Sequence, residues 1–298
     1  MIRRRVAMLS ALLLLVAGCA PSRSGSLGPA PTAVTSSPPG PTSAAPPTTT
    51  APPTTIAPSP TDAPAPTTPG IGTTGTSRPA TLTLHLWYVR DGRLAPTRRT
   101  RPATVATSRL ALDELAAGPT TAESATGLVT LLPDGAQVSR IVAGVATVRL
   151  AAAPDPATGR LREAQVVYTL TQFPTVRQVA FGTAAPADRS DYADLLPPIV
   201  VTAPTIGDRV TSPVTVTGTA NVFEATVNVR VLDATGRQLA TGFTTATCGT
   251  GCRGSYRATV RYRLVREQPG TIEVYEVSAA DGSRTKTVAV PVTLAATG

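Results

Sequence analysis

The chain has 298 residues, 30 of them Pro and only three Cys, and carries a formal net charge of +9. Three cysteines exclude a disulfide-dense scaffold, and the length accommodates about two domains of ordinary size. Arg3, Arg4 and Arg5 supply three units of the charge, and the remainder is spread without a dense basic stripe, which argues against a nucleic-acid partner.

Residues 1–18 read as a targeting segment. Arg3-Arg4-Arg5 is a positive leader, and the apolar run Val6–Ala17 that follows is far shorter than the roughly 20 residues a membrane-spanning helix needs. The run closes on Leu15-Val16-Ala17-Gly18-Cys19, which resembles a bacterial lipoprotein lipobox. That resemblance implies cleavage before Cys19 and lipidation of its thiol. The mature chain is then expected to be anchored on the extracytoplasmic face of the cell membrane, since two or more acyl chains give stable attachment. The plainer alternative is an ordinary signal peptide beside a chance Cys.

Residues 19–80 are dominated by Pro, Thr, Ser, Ala and Gly, as in Pro46-Pro47-Thr48-Thr49-Thr50. So few large apolar residues cannot offset ordering entropy, so a disordered tether biased to polyproline II is expected. It reads as a spacer crossing the cell wall or as a passive linker.

Residues 81–185 carry the first set of periodic elements. Alternation in Thr81–Val89 places Leu82, Leu84, Leu86 and Tyr88 on one face of a strand, Asp91-Gly92 is a turn, and Arg93–Arg99 should return as a second strand. Ser108 is placed to cap a helix with Ala111, Leu112 and Leu115 as its buried stripe, ended by Gly118-Pro119. Thr120 and Glu123 have capping-box spacing. Pro133-Asp134-Gly135 and Ala143-Gly144 bracket a hairpin ending at Leu150, a helix covers about Arg160–Thr171, and Val176–Phe181 is a closing strand. The expected arrangement is a mixed α+β sheet with helices on one side.

Tyr88–Pro96, Leu115–Glu123 and Gly127–Pro133, followed by Ala164–Pro174 and Val179–Phe181, resemble the GerMN (sporulation and germination) domain. The resemblance implies an extracytoplasmic, non-catalytic domain of the kind that assembles into envelope complexes. The residues themselves agree. His85 is the only histidine, expected half-exposed beside Trp87 on the second face of its strand, and one His without a nearby Cys cannot build a metal site. No Ser stands in a Gly-x-Ser-x-Gly setting, and Glu123 is better explained as a cap than as a general base. Neither an enzyme nor a cofactor is expected.

After a connector over 184–196, residues 197–294 read as all-β. Strands are predicted at Ile199–Ala203, Val214–Gly218, Thr226–Leu232, Gln238–Thr245, Ser255–Arg263, Thr271–Val277 and Thr285–Leu294, a spacing that argues for a β-sandwich. Ser212–Ala220, Val222–Val227 and Asp281-Gly282-Ser283 resemble the immunoglobulin-like domain of bacterial spore germination proteins, which implies an adhesion or interaction role. In Cys248-Gly249-Thr250-Gly251-Cys252 a disulfide is the default outside the membrane, against a redox or metal role. Arg257, Arg261 and Arg263 fall on one face of their predicted strand and offer either a polyanion-binding ladder or a solvated surface.

The sequence therefore predicts an α+β GerMN-like domain followed by an immunoglobulin-like sandwich, carried on a tether from a membrane anchor. The expected role is non-enzymatic interaction with an envelope protein or a cell-wall polymer, or, alternatively, glycan or ligand binding in support of wall enzymes.

Overall fold

Polar–apolar alternation from Thr81 onward produces the first element, β1 (Thr81–Arg90), which turns through Asp91-Gly92 and pairs antiparallel with β2 (Arg93–Pro102). The computed structural model describes residues 80–151 and 153–297; the leader, Cys19 and the tether lie outside the described residues. Leu84, Leu86 and Tyr88 are buried, as the alternation requires. Trp87 and Val89, from the opposite face, are buried as well. Trp87 packs on Tyr168 of a later helix with ring centroids 4.8 Å apart, so this hairpin is covered on two sides near its turn.

Helix α1 (Thr107–Ala116) buries Ala111, Leu112 and Leu115, the stripe its spacing predicts. Ser108 lies inside the helix and is buried rather than capping it. The first helical hydrogen bond runs from Leu110 N–H to the Ala106 carbonyl, which puts the cap position on Ala106. The short α2 (Thr121–Ser124) has the expected Thr120–Glu123 capping box.

The hairpin of β3 (Gln137–Val142) and β4 (Val145–Arg149) turns at Ala143 and Gly144, with φ of 51° and 84°. Two positive φ values are what a two-residue turn between right-twisted strands demands. Helix α3 (Pro156–Leu170) begins four residues earlier than periodicity indicates, because Asp155 accepts the Thr158 N–H at 2.9 Å and Pro156 occupies the first turn. It carries the chain over to β5 (Gln178–Phe181), parallel to β4. The segment therefore holds two sheets, β1–β2 and β3–β4–β5, in place of the single sheet expected.

The connector is itself structured. Residues Arg189–Leu195 form a 3-10 turn capped by Asp188, and Tyr192 is buried in the first core with its hydroxyl 2.9 Å from Glu163.

The following residues form a β-sandwich. All seven expected strands are present: β6 (Ile199–Ala203), β8 (Val214–Ala220), β9 (Thr226–Asp233), β10 (Gln238–Thr245), β11 (Gly254–Val260), β12 (Gln268–Val277) and β13 (Arg284–Leu294). A two-residue β7 (Arg209–Val210) is added, parallel to β13. One sheet has the order β10-β9-β12-β13-β7 and the other β11-β8-β6. Val216, Val227, Val229, Ile272, Val274 and Leu294 fill the space between them.

Both modules belong to one compact unit. Arg98 pairs with Asp208 at 2.6 Å, Arg253 donates to the Pro197 carbonyl at 2.6 Å, and Arg93 donates to the carbonyls of Asp194 and Leu196. Val200 of β6 also joins the first module's apolar core. No helix among the described residues is long and apolar enough to cross a membrane.

Candidate functional site

Of the residues singled out by sequence, Cys19 lies outside the described residues. Cys248 and Cys252 are bonded to each other, with Cα atoms 5.8 Å apart. Their loop joins β10 in one sheet to β11 in the other. The Thr250 N–H reaches the Val222 carbonyl at 2.9 Å, and the Gly251 N–H reaches the Asn221 side chain at 3.1 Å. Its role is to shape a loop, and no third thiol or imidazole approaches it among the described residues.

The arginine ladder divides. Arg257 stands on β11 opposite Thr217, facing solvent. The strand ends at Val260, yet the alternation of exposed and buried side chains continues through Arg263. Tyr262 explains why. Its ring is buried, and its hydroxyl donates to the carbonyls of Val210 at 2.8 Å and Ala295 at 3.2 Å. Its backbone is held on both sides by Ser212: the Tyr262 N–H donates to Oγ at 3.0 Å, and Oγ–H donates to the Tyr262 carbonyl at 2.8 Å. Leu264 is pinned to Thr297 in the same way. A rigid backbone thus throws Arg261 and Arg263 outward.

These two arginines join Arg266, from the loop before β12, and Arg237, from the turn between β9 and β10, around an open cleft of about 1580 Å³. Arg237 is paired with Asp233 at 3.0 Å, whereas Arg261, Arg263 and Arg266 have no carboxylate partner among the described residues. Glu267, on the same rim, is engaged by Arg209 at 2.7 Å. The cleft is therefore strongly cationic. Sequence reasoning found two of its arginines, included Arg257, which lies elsewhere, and missed Arg237 and Arg266.

A second cavity, of about 200 Å³, lies at the junction of the modules, between Leu94, Leu128, Ile199 and Val288. Its volume falls below the usual range for small-molecule sites.

The groups that could do chemistry are otherwise committed. His85 bonds through its backbone to Gln172. Its imidazole pKa is lowered by burial and by the charges of Arg98 and Arg189. No carboxylate is arranged with it as a base or orienter in any hydrogen bond among the described residues. Glu123 is almost wholly buried. Burial opposes its ionisation, but hydrogen bonds from Arg99, Thr97 and the Thr120 N–H prevail and hold its pKa at about 2. No group of His, Cys, Asp or Glu among the described residues could hold a metal ion.

Comparison with known proteins places names on both modules. Residues 86–182 match the family described as sporulation and spore germination (Germane), and residues 198–283 match the immunoglobulin-like domain of bacterial spore germination (Gmad2). No curated protein matches the chain. Among solved structures, the tandem GerMN domains of the sporulation protein GerM from Bacillus subtilis match at 13% identity and a TM-score of 0.33. That alignment covers 61% of this chain and 62% of the other, so the chain spans somewhat under two thirds of that structure's length. CopC from Methylosinus trichosporium OB3b matches at 16% identity and a TM-score of 0.22, covering 34% of this chain and 96% of that one. At such scores neither structure carries an argument about function. The chain thus holds a GerMN domain followed by a Gmad2 immunoglobulin-like domain, and these families bring no catalytic role.

Proposed function

We propose that this tandem of germination-type domains is a non-enzymatic binding unit of the bacterial cell envelope, held at the outer face of the cell membrane through an acylated Cys19. In this reading residues 1–18 are the removed leader, 19–80 the tether, and 81–185 and 197–294 the two binding modules. The observation that supports it best is the junction. Arg93 of the first module holds the connector carbonyls of Asp194 and Leu196, and Arg98 of the first module pairs with Asp208 of the second, so the pair presents its surfaces to a partner as one body. The leader supplies the address, since small residues precede Cys19 at the end of an apolar run too short to span a bilayer.

The anchor is tested by Cys19→Ala in the native host. The wild-type chain should partition with detergent and the variant should not; a variant that still partitions defeats the anchor. The binding role is tested by cross-linking in intact envelopes, where an envelope protein or wall polymer should be captured. Turnover of wall fragments by the purified chain would instead mean that the unit is an enzyme. A second reading, an accessory that binds ligand for wall enzymes, is favoured by the cationic cleft.

A further inference from the structure

We propose that the cleft between Arg237, Arg261, Arg263 and Arg266 binds a flexible anionic polymer whose repeats are joined by phosphodiesters and carry no bases. Four guanidinium groups line it against one carboxylate, Glu267, already neutralised by Arg209. Three of the four have no acidic partner among the described residues, so their charge is available to a ligand. Unpaired arginines gathered on one rim raise the local concentration of anions. Their planar forks suit phosphate oxygens better than the point charge of an ammonium would.

Shape and spacing narrow the occupant. Arg261 and Arg263 leave the same side of an extended backbone two residues apart, about 6.6 Å along the chain, a separation of the same order as that of successive phosphates joined by a short polyol. The segment that carries them is fixed by Tyr262, Ser212 and Thr297, so little backbone ordering entropy opposes binding. The cleft is concave, with charge on its walls, which fits a strand and not a flat bilayer surface. It also lacks a stacking platform. Tyr262, its aromatic lining residue, is buried with its hydroxyl bonded inward, so nucleobases would gain no stacking there.

The inference rests on the envelope reading only for where the polymer is met. Binding is measured in solution, so failure of the lipid anchor would leave it standing.

The test uses the full chain, purified in neutral detergent, and poly(glycerol phosphate) as probe. The comparison ligands are monomeric glycerol phosphate and a single-stranded oligonucleotide of equal charge. The polymer should bind most tightly and weaken as salt is raised. The triple variant Arg261→Gln/Arg263→Gln/Arg266→Gln should lose at least about tenfold in affinity, whereas Arg257→Gln, which removes a charge from the same module outside the cleft, should stay within about twofold. Should the triple variant fold poorly, Arg266→Gln alone, beyond the pinned segment, should still weaken binding measurably. Failure of the polymer to bind, an equal loss in Arg257→Gln, or tighter binding of the oligonucleotide would each overturn the proposal.

Discussion

Arg99 and Glu123 form a buried bidentate pair: Nη1 lies 2.8 Å from Oε1, while Nη2 meets Oε2. The same carboxylate accepts from the Thr97 hydroxyl and from the Thr120 N–H at 2.8 Å, tying the β1–β2 hairpin to the start of α2. A charge so enclosed stabilises the fold only while it remains paired.

The pH dependence follows from its sign. The folded carboxyl titrates at about 2, below the ordinary 4.5, so its contribution is present above about pH 4.5 and disappears as pH falls towards 2. The shift corresponds to roughly 3 kcal/mol. Urea denaturation of the wild type should show that loss between about pH 5 and pH 2.5. Glu123→Gln should be destabilised by a similar amount at pH 7 and show a flatter profile. An unchanged profile in the variant would mean that other carboxylates carry the acid sensitivity.

This pair also marks the limit of what sequence could show. Thr120 and Glu123, three residues apart, announce a capping box, and the box is present. That Arg99 from β2 completes it depends on packing across 24 residues of chain, for which local spacing holds no information. The same division runs through the fold. The strands of the sandwich were legible because alternation and turn residues are local, as were Ala111, Leu112 and Leu115 on α1. The splitting of the first module into two sheets was not, because strand order is a matter of long-range pairing. In the cleft, Arg261 and Arg263 shared a visible period. Arg237 came from another hairpin, and Arg257 was separated from them by the end of β11, which only Tyr262's anchoring reveals.

Gly218 should be intolerant of any side chain. It sits in the central strand β8, between Val201 and Tyr256 in register, and an added Cβ would strike the Val200 backbone carbonyl and come within 2.7 Å of the Tyr256 hydroxyl. The side chain could yield, but the carbonyl, part of the β6 backbone and bonded to the Tyr256 hydroxyl at 3.1 Å, cannot move without displacing the strand. Gly218→Ala is therefore expected to cost at least about 2 kcal/mol, and Tyr256→Phe in the same chain should not restore it. Recovery in the double variant would show that the ring, not the backbone, sets the limit.

The Cys248–Cys252 bond should matter locally. It encloses three residues, so chain-entropy reasoning gives about 2 kcal/mol at most, and hydrogen bonds to Val222 and Asn221 retain the loop without it. The double variant Cys248→Ser/Cys252→Ser should fold, with amide exchange accelerated around residues 247–255 and little changed in β12 or β13. Alkylation of the unreduced protein should modify neither thiol. Labelling of both would remove the disulfide from the native chain.

Gln165 is the most demanding position in the first module. Its side chain is fully buried on α3, yet it is a polar amide with both ends used: Nε2 donates to the Trp87 carbonyl at 3.0 Å and Oε1 accepts the Leu131 N–H at 2.8 Å. One side chain thereby bridges β1, which is paired on its other side with β2 through Trp87 opposite Pro96, and the segment entering the β3 hairpin. Gln165→Leu is nearly equal in volume but would strand a buried N–H and a buried C=O. Each such group costs about 1–3 kcal/mol, so the variant should lose roughly 2–5 kcal/mol, more than replacing neighbouring Val166 by Ala should cost if area alone mattered. Gln165→Glu preserves the acceptor for Leu131 but presents an unpaired charge to the Trp87 carbonyl. It should be destabilised at neutral pH and recover partly as acid protonates the introduced carboxyl, opposite in sign to the Glu123 effect. Chemical denaturation of Gln165→Glu in an Arg99–Glu123-intact background at pH 7 and pH 4.5 separates the two. A variant whose stability fell in step with the wild type would show that the amide's bridging bonds are not what holds α3 to β1.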